Sequence, residues 1–207
     1  MKEGEYTHIP VLPERTLALW TGSKTKGRFI DCTVGCGGHS ALLLEKLPEA
    51  ELLAIDRDDE ALERAGKRLS FAAGRVHFRK GRFSELEALA HSAGWDKVDG
   101  ILMDIGVSSP QIDDPARGFS FRNDGPLDMR MDRSSELSAS RVVNQYSAEA
   151  LAEVFRKYGE MDGRDARNLA SAIAAKRTEK PFSRTSELAE LCEEVLRCGH
   201  SRRKGPL

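Results

Sequence analysis

The sequence predicts an α/β protein in which a sheet of about four parallel strands precedes a small all-α region. Three observations carry that prediction. From Gly27 to about Gly106 short apolar runs alternate with amphipathic stretches, the pattern of βαβ units. Two of the runs, ELLAID and GILMD, end in an aspartate (Asp56 and Asp104), as buried parallel strands do when they deliver a polar group to one edge of a sheet. After Ser109 the alternation stops, and helical spacing returns from Ser138 onward.

Taken in order, the strands are expected at Arg28 to Cys32, Glu51 to Asp56, Val76 to Lys80 and Gly100 to Asp104. Helices fill the gaps at about His39 to Leu47, Asp59 to Ser70 and Ser84 to Ala93, where Leu62, Ala65 and Leu69 show the helical period. Residues 110 to 133 have Pro and Gly turn signals and no sustained period, so they read as a long loop, and their Phe and Met residues argue that it is packed and ordered. Helices follow at Ser147 to Tyr158, Arg164 to Lys176 and Thr185 to Arg197, with Ser147 and Thr185 as caps. The division into domains is therefore expected at 1–110 and 111–207.

Composition narrows the function classes. A chain of 207 residues with 40% hydrophobic and 31% charged residues can bury a core. It has no stretch of about 18 apolar residues. Its N-terminus lacks the basic-then-apolar order of a secretion signal, so a cytoplasmic protein without a membrane partner is expected. Cys32 and Cys36, and far from them Cys192 and Cys198, do not have the spacing of structural zinc ligands, so no metal is expected. A net charge of −1 gives no overall footprint for nucleic acid, and any RNA surface must be a local patch.

The candidate site is the loop from Asp31 to Ser40 (DCTVGCGGHS), set between a strand and a helix. Its glycines at 35, 37 and 38 permit a sharp turn and close approach of a ligand to the backbone. The third glycine of a dinucleotide fingerprint is missing, which argues against a nicotinamide dehydrogenase. Asp31 offers a carboxylate to a cationic amino-acid tail. Asp56 follows Gly37 by about 20 residues, the distance at which an acid reaches ribose hydroxyls, although an N-cap role within DRDD is the alternative. Phe83 is either a face for an adenine or a core residue. Asp104 is the candidate catalytic residue, able with the carbonyls of Gly106 to Ser108 to accept the N–H of an exocyclic amine whose lone pair is conjugated into its ring. A role for Asp104 confined to orienting the cofactor is equally open.

With these residues in place the sequence resembles the MraW/RsmH-type ribosomal RNA cytosine-N4 methyltransferase family. The strings that carry the resemblance are HIPVL (His8 to Leu12), DCTVGCGGHS, AIDRD (Ala54 to Asp58), GRF (Gly81 to Phe83), DGILMDIGVSSPQID (Asp99 to Asp113), RGFSF (Arg117 to Phe121), DGPLDMRMD (Asp124 to Asp132) and RT-S-ELAEL (Arg184 to Leu191). They span nearly the whole chain, and the ordered trio GVSSPQ, RGFSF and GPLDMRMD is the specific part.

The resemblance implies a Rossmann-like sheet with an inserted all-α subdomain. It also implies S-adenosyl-L-methionine as cofactor, with contacts at Gly37, Gly38, His39, Asp56, Phe83, Asp104 and Gln111. The substrate it implies is a decoding-centre cytidine of small-subunit (16S) ribosomal RNA. Arg117, Arg122, Arg130 and Arg133 would lie near the RNA entrance, unless they pair with Asp113, Asp114, Asp128 and Asp132. The motif at Asp104 reads Asp-Ile-Gly-Val and has no aromatic, so stacking on a target base falls to Phe119 or Phe121. Family members run on well beyond Gly205-Pro206-Leu207. An incomplete sheet with an exposed apolar edge is therefore expected, together with an unstable or inactive product that at most binds cofactor or RNA. Homodimerisation is left open.

Overall fold

The computed structural model describes the backbone of residues 10–203 and the side chains of 10–196. His8 and Ile9 of the HIPVL string and the end at Gly205-Pro206-Leu207 lie outside the described residues, as do the side chains of Cys198, Arg202 and Arg203. The chain divides into two compact units, Met1–Ser108 and Ser109–Leu207.

The first unit is a parallel sheet of four strands, in the spatial order β3-β2-β1-β4. The strands are β1 (Lys26–Asp31), β2 (Glu49–Asp56), β3 (Val76–Lys80) and β4 (Gly100–Leu102). Between and before them lie α1 (Pro13–Thr21), α2 (Gly38–Lys46), α3 (Asp59–Arg68) and α4 (Leu86–Ser92). The fold is the α/β class that the alternating pattern predicts. Ile30 is in register with Leu53 of β2 on one side and Ile101 of β4 on the other, so β1 and β2 form the centre.

Alternation along the strands builds two cores. Phe29, Leu52 and Ala54 pack with Leu17, Trp20, Leu43, Leu44 and Leu69. Their neighbours Ile30, Leu53 and Ile55 face the other way, onto Ala90 and Trp95. Burial on both faces explains why the central strands read as unbroken apolar runs. Arg75 ties α2 to β2 by donating, at 3.1–3.2 Å, to the carbonyls of Leu44 and Leu47, left over at the end of α2, and of Ala50 in β2.

Three details differ from the sequence expectation. The helix α1 was not expected; Pro13 occupies its first turn and Trp20 anchors it edge-on to Phe29. The third helix begins as a 3-10 turn at Phe83–Glu85 before α4. The fourth strand is shorter than Gly100 to Asp104 because it pairs only with β1, and Ile101, Met103, Ile105 and Val107 on and after it are exposed.

The second unit is helical: α5 (Ser109–Asp113), α6 (Ala139–Gln145), α7 (Ala148–Tyr158), α8 (Gly163–Glu179) and α9 (Thr185–Arg203). Leu127, Val143, Leu151, Leu169, Ile173, Phe182 and Leu191 form its core. Ser138, Ser147 and Asp162 cap α6, α7 and α8 through backbone N–H groups. At α9 the cap differs from expectation. The Glu187 carboxylate reaches back to the N–H groups of Ser183 and Arg184, leaving the Thr185 hydroxyl to accept from Gly125. The intervening segment is ordered through its backbone: Leu127 N donates to Ser183 O at 2.9 Å and Thr185 N to Gly125 O at 2.9 Å.

Among the described residues no helix is long and apolar enough to cross a membrane. Among them, too, no three His, Cys, Asp or Glu side chains gather as a metal site.

Candidate functional site

The C-terminal ends of β1, β2, β3 and β4 are tied to one another by a short set of hydrogen bonds. Val34 N donates to Ile55 O at 3.0 Å, Gly81 N to Asp56 O at 3.0 Å and Cys32 N to Leu102 O at 2.9 Å. The glycine loop therefore lies between the ends of β2 and β4, where ligands of open α/β sheets bind. Gly35 and Gly37 have φ of 52° and 75°, values that only glycine adopts without strain. A Cβ at Gly37 would lie in van der Waals contact with Ala65 and Leu69, so its positive φ is what requires glycine there, whereas one at Gly38 would press on Pro10 at 3.3 Å.

Asp56 is half-buried at the tip of β2. Its carboxylate accepts from Gly35 N at 2.9 Å and from Asp58 N at 3.0 Å. Burial pushes its pKa up, against the pull of those donors. The cap of α3 is Asp58, which accepts from Glu60 N at 3.1 Å, so Asp56 is not spent on the helix. A carboxylate offers about four acceptor sites, so beyond the backbone donors of Gly35, Arg57 and Asp58 that of Asp56 keeps acceptor capacity toward a ribose.

Phe83 follows β3 and is 45% exposed, so it is not a core residue. Asp104 is exposed beyond β4. Its N–H donates to Thr33 Oγ1 at 2.8 Å, and its carboxylate lies 3.8 Å from Nε2 of the buried His39. The first unit thus gathers Gly37, Gly38, His39, Asp56 and Asp104 around the loop, with Phe83 at the end of the next strand. Gln111 sits buried in α5 of the second unit.

Asp31 departs from its expected place beside a ligand. It is 2% exposed, and its two oxygens accept from Thr33 N at 3.1 Å and Ser40 Oγ at 2.7 Å. Burial, helped by the nearby charges of Asp56 and Asp104, pushes its pKa up to about 6. The folded state therefore holds this proton more tightly than the unfolded chain between about pH 4 and 6. Stability falls as pH rises through that window, by roughly 3 kcal/mol. Asp31→Asn is expected to remove the loss. The difference in melting temperature between variant and parent should grow from pH 4 to pH 7 in favour of the variant, and a constant or shrinking difference in thermal scans would refute this.

The hydroxyls of Thr33 and Ser40 are the groups sequence reasoning missed. Their signal was present as Thr and Ser at fixed offsets from Asp31, but nothing local ties Thr33 to a residue 71 positions on.

The arginines expected at an RNA entrance divide in two. Arg117 is buried and donates to the carbonyls of Arg130 and Met131, while Arg130 grips Asp128 through Nε at 2.6 Å and Nη2 at 2.9 Å. Both hold the long segment together, because a guanidinium can satisfy several loop carbonyls that no helix or strand does. Arg122 and Arg133 are exposed.

A profile described as the MraW methylase family matches residues 5–206. The chain is 47% identical over 192 residues to a protein of Nitratidesulfovibrio vulgaris named ribosomal RNA small subunit methyltransferase H, covering 91% of this chain and 52% of that one. The same name belongs to relatives in Fusobacterium nucleatum (47% identical, 94% of this chain and 61% of that one) and Alcanivorax borkumensis (43%, with 94% and 61%). The chain thus spans between half and two thirds of the length of these relatives. A solved structure titled as a putative O-methyltransferase from Klebsiella pneumoniae is 20% identical, with a TM-score of 0.34 over 76% of this chain and 70% of that one. A family match that runs almost from end to end, over the very loops that meet at the strand ends, means that this chain belongs to the MraW methylase family.

Proposed function

We propose that the chain carries the cofactor site and target-amine site of an enzyme that methylates the exocyclic N4 of a cytidine in small-subunit ribosomal RNA. The observation that carries the reading is the meeting of the glycine loop, Asp56 and Asp104 at one edge of a parallel sheet in a chain of this family. The residues fit S-adenosylmethionine, which when bound supplies an electrophilic methyl group. Asp56 would accept the ribose hydroxyls, the positive-φ glycines would leave room for the ligand along the backbone, and the exposed Phe83 ring would lie against the adenine.

Asp104 holds the target. With its backbone N–H held by Thr33, it would accept N4–H and draw the nitrogen toward tetrahedral geometry, freeing the conjugated lone pair. Asp104 would take the N4 proton as the N–C bond forms, and the electron pair of the broken S–CH3 bond would leave with S-adenosylhomocysteine.

A second reading is favoured by one observation. The strand that delivers Asp104 is an edge strand with exposed Ile101, Met103, Ile105 and Val107, so the chain alone would bind cofactor without turning over. Transfer of radiolabelled methyl from S-adenosylmethionine to unmodified small subunits, followed by nucleoside analysis, tests both. Label in N4-methylcytidine supports the first reading. Binding of S-adenosylhomocysteine without label supports the second, and neither binding nor label contradicts both.

A further inference from the structure

The segment from Arg117 to Arg133 in the second unit is closed at its base. Met129 N donates to Arg117 O at 3.1 Å, and Thr185 N donates to Gly125 O. Gly118 packs against the backbone of Pro126 and Asp128. Arg184 grips Asp124 through Nε at 2.8 Å. The tip between these ties is turned by Ser120, whose Oγ accepts from Arg122 N at 3.1 Å and Asn123 N at 3.4 Å. On this braced tip Phe121 is 70% exposed. Arg117, Arg130 and Arg184 are spent on the loop's own carbonyls and carboxylates, yet among the described residues Arg122 has no ion-pair partner.

We infer that Phe121 and Arg122 form a contact for one unpaired RNA nucleotide, the ring stacking on the base and the guanidinium taking the adjacent phosphate. The inference rests on the reading above for RNA as the partner. An exposed aromatic beside an uncommitted cation matches the two faces of a nucleotide, and the flanking Ser120, Asn123 and Asp124 are too polar for an apolar protein hot spot. The nucleotide must be unpaired, because a duplex hides the base face. A tip already held by hydrogen bonds loses little freedom when the base lands on it.

The test uses the full chain, a labelled single-stranded oligoribonucleotide, the same strand in a duplex, and S-adenosylhomocysteine titrated in parallel. Phe121→Ala is expected to weaken single-strand binding about tenfold, with Phe121→Trp restoring it. Arg122→Gln should shallow the dependence of log affinity on log salt by about 0.7. Duplex binding, the melting temperature and S-adenosylhomocysteine affinity should not move. The inference is overturned if parent, F121A and R122Q bind the single strand alike, if the duplex is affected equally, or if the parent does not bind the single strand. Those results leave methyl transfer standing, whereas failure of the parent to bind S-adenosylhomocysteine strikes that reading alone.

Discussion

Asp56→Ala is expected to lower the affinity for S-adenosylhomocysteine about a hundredfold. Two hydrogen bonds from ribose hydroxyls to a charged acceptor contribute roughly 3 kcal/mol together. The same substitution removes the acceptor for Gly35 N and Asp58 N, so the loop loses its tie to β2 as well. Asp56→Asn keeps acceptor oxygen without charge and should fall about tenfold. Calorimetric titration at pH 7 checks both, and a change under threefold for Asp56→Ala would show that the carboxylate does not grip the ligand.

Gly125→Ala is expected to cost about 3 kcal/mol or more of stability, the upper end of what overpacking does to a well-packed site. A Cβ at Gly125 would overlap the carbonyl oxygen of Pro115. Both backbones are tied, Gly125 N and O to Thr185 and Pro115 O to Gly118 N at 3.1 Å. The melting temperature should fall by roughly 6–12 °C. A fall under 2 °C would mean that the 115–125 contact is not rigid.

The sheet was legible because its physics is local. A buried parallel strand needs a run of apolar residues; the run ending in Asp56 gave β2 to its last residue, and the run ending in Asp104 gave β4 but passed its end at Leu102 by two residues. The helix α1 was hidden because it has nine residues and exposes Leu19, which blurs its apolar face. Seven-residue α6 lies where helical spacing was expected to return, from Ser138, but it is too short for its bounds to be read.

At the site, the glycines and the spacing to Asp56 could be read, since turn geometry and strand length set them. The inward turn of Asp31 and the Thr33 link to Asp104 could not, because they depend on which loop lies beside which after the sheet has formed. Arg117 illustrates the same limit, since a sequence does not distinguish an arginine that meets solvent from one that satisfies buried carbonyls.

The most direct measurement is amide chemical-shift mapping of the labelled chain on addition of S-adenosylhomocysteine. Shifts should concentrate at Gly35 to Ser40, Asp56 to Asp58, Gly81 to Phe83 and Asp104 to Gly106, and NAD should not reproduce them. Saturable shifts that avoid these segments, or none at all in a folded chain, would contradict a cofactor site at the strand ends.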